Sequence, residues 1–260
     1  MSRTAFNHER HGFAFVNAWE FDDAEREQLR ESFARYLTWG AVLGAAVFGP
    51  AGILFVPLGI RALRKELERH LSPGYGLCGG MCFTALDFYH RPDLHIPRGW
   101  HRDDRPAPRT PLRRYTWKRQ VESIVSDGAR FMAWLIALNH IPRFWPCRGG
   151  PAWLLARSKA EWQKLKTSVD AGNPVPIGLV RDAKNVYDNH QVLATGYEPV
   201  GDTQGTIYVY DPNCPDKEST IRFEFGEHKL CGTESCGTSQ PLRGFFCETY
   251  TQSDPTEAIT

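Results

Sequence analysis

Three side chains in this sequence have the types and the settings that acyl-transfer chemistry needs. Cys78 closes a glycine-rich approach, Gly74-Tyr-Gly-Leu-Cys78, and leads into Met81, Cys82, Ala85, Leu86 and Tyr89 at helical spacing. This pattern predicts a loop turning sharply into a helix with Cys78 in its first turn. Unbonded N–H groups and the positive end of the helix dipole favour a thiolate there, and such a thiol titrates below the free value of about 8.5. Gly79 and Gly80 are poor interior helix residues; at the helix mouth they would leave room for a substrate backbone. A base is offered by His190, in Asn189-His-Gln-Val-Leu-Ala-Thr-Gly-Tyr197, and an orienting carboxylate by Asp211, in Gly205-Thr-Ile-Tyr-Val-Tyr-Asp-Pro-Asn213. Cys at a helix start, His on a strand and Asp at the next strand's end form a nucleophile, its base and the group that steers the base.

The runs Leu77-Cys78-Gly-Gly-Met-Cys82-Phe-Thr-Ala-Leu, His190-Gln-Val-Leu-Ala-Thr-Gly-Tyr and Val209-Tyr-Asp211-Pro resemble the papain-like cysteine peptidases, nearest the bacteriocin-leader-peptidase branch. That branch carries a Cys-Gly-x-x-Cys/Ser helix start, a His strand ending in Gly-Tyr, and an Asp-Pro at the next strand's end. The resemblance covers roughly residues 72 to 225. It implies Cys78 as nucleophile, His190 as base and Asp211 as orienting carboxylate. The family usually has a Gln five or six residues before the cysteine as an oxyanion donor; here Ser72 and Pro73 stand at those positions. The Cys78 backbone N–H remains as one donor, and the second is unassigned.

Competing roles exist for most of these residues. Cys82 reads as a core thiol behind the site. Asn213 and Asp188 are substitutes for Asp211, whose Asp-Pro-Asn setting is also an ordinary turn start. Asn189 and Gln191 flank the histidine and are candidates for substrate contact. Farther on, Cys214, His228, Cys231 and Cys236 have ligand types suited to zinc, but their spacing is a weak signature. Free thiols, or a Cys231–Cys236 disulfide, explain them as well.

Length and composition limit the choices. With 260 residues, 42% hydrophobic and 12% aromatic, the chain can build a substantial core. A net charge of +1 and no basic stripe interleaved with aromatics argue against nucleic acid as a partner; the basic stretch Arg98 to Arg119 reads as a solvated loop. No secretory signal pattern opens the chain, and seven cysteines do not suggest a secreted disulfide framework. The expectation is a cytoplasmic protein, membrane-associated or exported without a classical signal as alternatives.

The positioning elements follow in order. Gly12 to Phe21 alternates as a short strand, and a helix capped by Asp22 or Asp23 runs to about Tyr36. Tyr36 to Ile60 contains 25 residues without a formal charge, interrupted by five glycines and two prolines. Its primary reading is a buried apolar helical hairpin; a membrane-inserting hairpin and a spanning helix are the alternatives. A charged helix covers Arg61 to Leu71, and residues 90 to 112 make an exposed excursion. Helices are expected over Thr116–Leu138 and from the capping box Ser158-Lys-Ala-Glu161 to Ala171. Strands are expected over 172–180, 190–197, 206–210, 220–225 and 244–250.

These elements predict an α+β, papain-like fold with the Cys78 helix packed on a C-terminal antiparallel sheet. Residues 1–71 would form an N-terminal region, 72–250 the catalytic domain and 251–260 a flexible tail. The chemistry expected is hydrolysis of an amide bond in a peptide or protein, with no cofactor. Acyl transfer of the transglutaminase or deamidase kind is the enzyme alternative. A silent domain binding a partner, or a membrane-inserting effector acting through residues 36–60, is the non-enzymatic one.

Overall fold

The computed structural model describes residues 1–28, 31, 74–140, 149–181, 189–215, 217–237 and 240–260. The apolar hairpin expected over 36–60 lies outside the described residues, as do Ser72, Pro73 and Asp188. Among the described residues no helix is long and apolar enough to cross a membrane.

The C-terminal half does not form the open sheet under helices that a papain-like arrangement predicts. It closes into an antiparallel barrel. Strands β4 (Val175–Arg181), β5 (His190–Val200), β6 (Gln204–Tyr210), β7 (Ser219–Phe225), β8 (Leu230–Glu234) and β9 (Leu242–Cys247) pair in the order β5-β4-β9-β8-β7-β6, and β6 returns to β5. Two features account for closure. The first is β8, five residues with Gly232 at the centre, whose composition resembles a turn. A side chain at Gly232 would press on Leu242 and on the Arg222 carbonyl, so glycine lets three strands lie close. The second is the length of β5, eleven residues. Its first half pairs with β4, from Leu179↔His190 to Val175↔Ala194. A register shift between Ala194 and Gly196 then turns it, and its second half pairs with β6 as far as Val200↔Gln204. The freed edge accepts β1 (Ser2–Arg3) at Gly196 and Tyr197.

Helices α1 (His8–His11), α2 (Cys78–Tyr89), α3 (Pro111–His140) and α4 (Gly149–Asp170) accompany the barrel, and residues 23–28 are helical as well. Pro111 and Pro151 sit in the first turns of α3 and α4, where a missing N–H costs nothing. The Gly149-Gly150-Pro151 run is therefore the start of α4, upstream of the Ser158 start expected from sequence. Ser158 and Glu161 are not its capping box but lie within it, facing β9: Ser158 Oγ accepts the Phe245 N–H at 3.2 Å and Glu161 Oε2 the Cys247 N–H at 2.9 Å. Trp162, Leu165 and Val169 of α4 join barrel residues such as Ile177, Val192 and Phe245 in one core.

The second core surrounds α2, in which every residue from Gly79 to Phe88 is buried. A helix apolar on all sides needs cover on all sides. It receives α3, the start of β5, and Phe13, Phe15 and Trp19 from the N-terminal segment. Of the strand expected there, only β2 (Trp19–Glu20) forms, pairing with β3 (Gly74–Tyr75). The last ten residues are a docked segment, not a loose tail. A 3-10 helix, Pro255–Ala258, is capped by Asp254, and Ala258 is buried. Upstream, the Ser253 N–H and Tyr250 hydroxyl donate to buried Asp87, and Arg119 donates to the Thr251 carbonyl.

Candidate active site

Antiparallel pairing of β5 with β6 decides where His190 lies. The partners Leu193 and Tyr210 bring the beginning of β5 and the end of β6 to the same barrel rim. His190 opens β5 and Asp211 follows β6, so the two meet there. His190 Nε2 lies 2.8 Å from Asp211 Oδ1. An ionised carboxylate only accepts, so Nε2 carries the proton and Nδ1 is left for other work. The Asn213 N–H donates to the same carboxylate oxygen at 2.8 Å, and Asn213 Nδ2 lies 3.3 Å from the histidine ring nitrogen. Asp211, the first choice from sequence, is the carboxylate that lies against His190, and the Asn213 N–H holds it from two residues on.

Cys78 is the first residue of α2, half-buried, preceded by Leu77, which supplies no side-chain cap. Burial pushes its thiol up, but the neighbouring His190 imidazole, with the backbone N–H groups of Gln191 and Gly79, outweighs it and holds the thiol below its ordinary value. Burial also opposes a charge on His190, yet Asp211 and Cys78 raise the imidazole to about 10. The shifts run in opposite directions and favour a thiolate–imidazolium pair. Cys82 differs. Burial, together with the negative charges of Cys78, Glu248 and Asp211, pushes it well above the usual thiol range. Its Sγ donates to the Gln191 carbonyl at 3.7 Å, and it belongs to the core.

A cleft beside Cys78 runs between α3 and the barrel, bounded by Ile124, Asp127 and Phe131 on one side and Phe246 and Glu248 on the other. Asn189 and Gln191 both line it. Gln191 has Oε1 3.7 Å from Cys78 Sγ and Nε2 donating to Glu248. Asn189 Oδ1 accepts the Arg181 N–H at 2.9 Å, tying the approach of β5 to β4.

Gly79 and Gly80 do not open room for a substrate. Both are buried: a side-chain carbon on Gly79 would lie 2.0 Å from Gln191 Oε1, and one on Gly80 would lie 2.3 Å from the Thr116 carbonyl. They make room for the protein itself, Gly80 by letting α2 and α3 approach closely. Sequence reasoning missed Asn17, from the N-terminal segment, whose Oδ1 accepts the Leu77 N–H at 2.6 Å. It also missed Glu248, which lies 58 residues after His190 and is brought in by β9 pairing with β4. An isolated Asn and a Glu at a strand end carry no local signal.

The zinc reading of Cys214, His228, Cys231 and Cys236 fails on bonding. Cys214 and Cys236 form a disulfide with Cα atoms 6.0 Å apart, so neither offers a thiolate, while Cys231 is free and exposed. The bridge replaces the Cys231–Cys236 pairing considered from sequence. Cys231, on β8, pairs across to Glu224, whereas Cys236 lies beyond the strand. No group of His, Cys, Asp or Glu that could hold a metal ion occurs among the described residues. Comparisons with family models, with curated proteins and with solved structures returned no match.

Proposed function

We propose that the protein is a cysteine-dependent hydrolase of amide bonds, acting on a peptide or protein. The observation that carries this reading is the position of His190, hydrogen-bonded through Nε2 to Asp211 and lining the same cleft as Cys78. A structural histidine would not need a carboxylate behind it and a depressed thiol in front of it. The resemblance of the three sequence runs to cysteine peptidases supports the same reading.

In the first half-reaction the Cys78 thiolate attacks the carbonyl carbon, forming a C–S bond and an oxyanion. The backbone N–H of Cys78, at the positive end of α2, is suited to stabilise that oxyanion. His190, protonated and steered by Asp211, gives its Nδ1 proton to the leaving amine as the C–N bond breaks. In the second half a water molecule loses a proton to neutral His190 and attacks the thioester. Its collapse releases the carboxylic acid and regenerates the thiolate–imidazolium pair.

The test is cleavage of a mixed peptide library followed by mass spectrometry. New termini should appear with wild type and be absent with Cys78→Ala and His190→Ala. Cleavage that persists in Cys78→Ala would sink the proposal.

A further inference from the structure

The cleft is lined by a carboxyl group with an oxygen that nothing among the described residues engages. Glu248 is 8% exposed. Its Oε1 accepts from Gln191 Nε2, while Oε2 is buried with no hydrogen-bond partner among the described residues. A buried acceptor left without a donor costs about 1–3 kcal/mol, so it needs a reason. The neighbouring acid offers a contrast. Asp127 is satisfied on both oxygens, by Arg130 and by the Thr249 N–H at 2.6 Å, and Arg130 is further held by the Cys247 carbonyl and the Phe246 ring.

Gln191 connects this carboxyl to the chemistry, since the same amide holds Glu248 with its nitrogen and approaches Cys78 Sγ to 3.7 Å with its oxygen. The cleft that holds the sulfur and the acids is lined by the apolar side chains of Ile124, Phe131 and Phe246 as well as by Gln120 and Ser123. We propose that the cleft around Glu248 is a specificity subsite for a cationic side chain, an ammonium or guanidinium on an aliphatic stem, borne by the residue next to the bond that Cys78 attacks. The inference rests on the hydrolase reading above. The stem would lie on the three apolar side chains and the head would donate to Glu248 Oε2. Burial and the charge of Asp127 push the Glu248 carboxyl up to about 8; a bound cation would oppose both effects. An acidic side chain would meet two carboxyl groups, and a neutral apolar one would leave the oxygen as it is.

The experiment compares two peptidyl acyloxymethyl ketones that differ only beside the warhead, one with lysine and one with its neutral analogue norleucine. Labelling of Cys78 is read by mass spectrometry. The lysine probe should react at least about tenfold faster with wild type, a difference of ~1.4 kcal/mol. The ratio should fall towards one in Glu248→Gln. Glu248→Leu, which replaces the carboxyl with apolar volume, serves as a second variant should the first misfold, and norleucine labelling reports that each variant is folded. Equal rates in wild type, or a lysine preference that survives both substitutions, would overturn the subsite. Iodoacetamide, which carries no side chain, is run in parallel. If it labels Cys78 no faster than a free thiol, the hydrolase reading fails and the subsite with it.

Discussion

Asn17 Nδ2 donates to Asn213 Oδ1 at 3.2 Å, joining the N-terminal segment to the turn that carries Asp211. The other end of the same amide accepts the Leu77 N–H, and the Asn17 N–H donates to the Pro212 carbonyl at 2.9 Å. One residue therefore spans the start of the Cys78 helix and the turn that carries Asp211. Removing it with Asn17→Ala should slow Cys78 labelling by about tenfold through lost alignment and cost ~1–2 kcal/mol of stability. A positioning role also predicts that the pH profile of labelling moves upward, which a general loss of stability would not cause. Asn17→Asp keeps the acceptor for Leu77 and should fall between Ala and wild type. Labelling rates and thermal melts of the three proteins check this.

The two glycines after Cys78 should separate cleanly. The atoms nearest a methyl on Gly79 are the side-chain ends of Gln191 and Ser123, while one on Gly80 meets the backbone of α3. Gly79→Ala should melt near wild type but label Cys78 more slowly, because Gln191 is displaced in the cleft. Gly80→Ala should lose about 1–3 kcal/mol from overpacking. Chemical denaturation of both variants decides it; equal losses would mean that the close approach of α2 and α3 is misjudged.

The disulfide acts close to the base. Cys214 donates its N–H to the Asp211 carbonyl at 2.9 Å, so the bridge to Cys236 anchors the Asp211 turn against the loop after β8. Under oxidising conditions, alkylation of the denatured chain without reductant should leave Cys214 and Cys236 unmodified. Reduction, or Cys214→Ser with Cys236→Ser, should cost ~2–4 kcal/mol and slow Cys78 labelling as the turn loosens. Unchanged labelling would show that Asp211 is held by the barrel alone.

Glu248 gives stability a pH dependence of defined sign. Its carboxyl is raised from 4.5 to about 8 in the folded chain. Its contribution is thus fully present below the unfolded value and is lost as pH rises through the folded one. Glu248→Gln, neutral at every pH, should gain on wild type as pH goes from 5 to 9, by a few kcal/mol on the order of the shift. Melting temperatures across that range measure it. A constant difference would place the ionised carboxylate in a site that already accommodates it.

The sequence made the three candidate site residues legible because each sits where a local signal is strong. Cys78 has glycines around a helix start, His190 opens an apolar run and Asp211 precedes a proline. Barrel closure was not legible, since it depends on β8, whose Cys-Gly-Thr core looks like a turn, and on a shift within β5 that becomes visible only in the pairing. Ser158 and Glu161 match a capping box locally, but the helix begins at Gly149 and their side chains serve the β9 backbone. Composition likewise led to a loose C-terminal tail, although Asp87, buried within α2, calls for the donors that Tyr250 and Ser253 provide. Partners such as Asn17, Gln191 and Glu248 are chosen by long-range packing, and no spacing rule reaches them.

The central claim is that His190 and Cys78 form an ion pair that keeps the thiol reactive at neutral pH. Iodoacetamide labelling of Cys78 from pH 4 to 10, in wild type and His190→Ala, tests it most directly. With the thiol lowered and the imidazole raised to about 10, the wild-type rate should already be near its plateau at pH 7. His190→Ala leaves burial unopposed by the imidazolium and should carry the profile well to the alkaline side. A wild-type rate that falls about tenfold per pH unit below ~8.5, as a free thiol does, or a profile that ignores His190→Ala, would contradict the account.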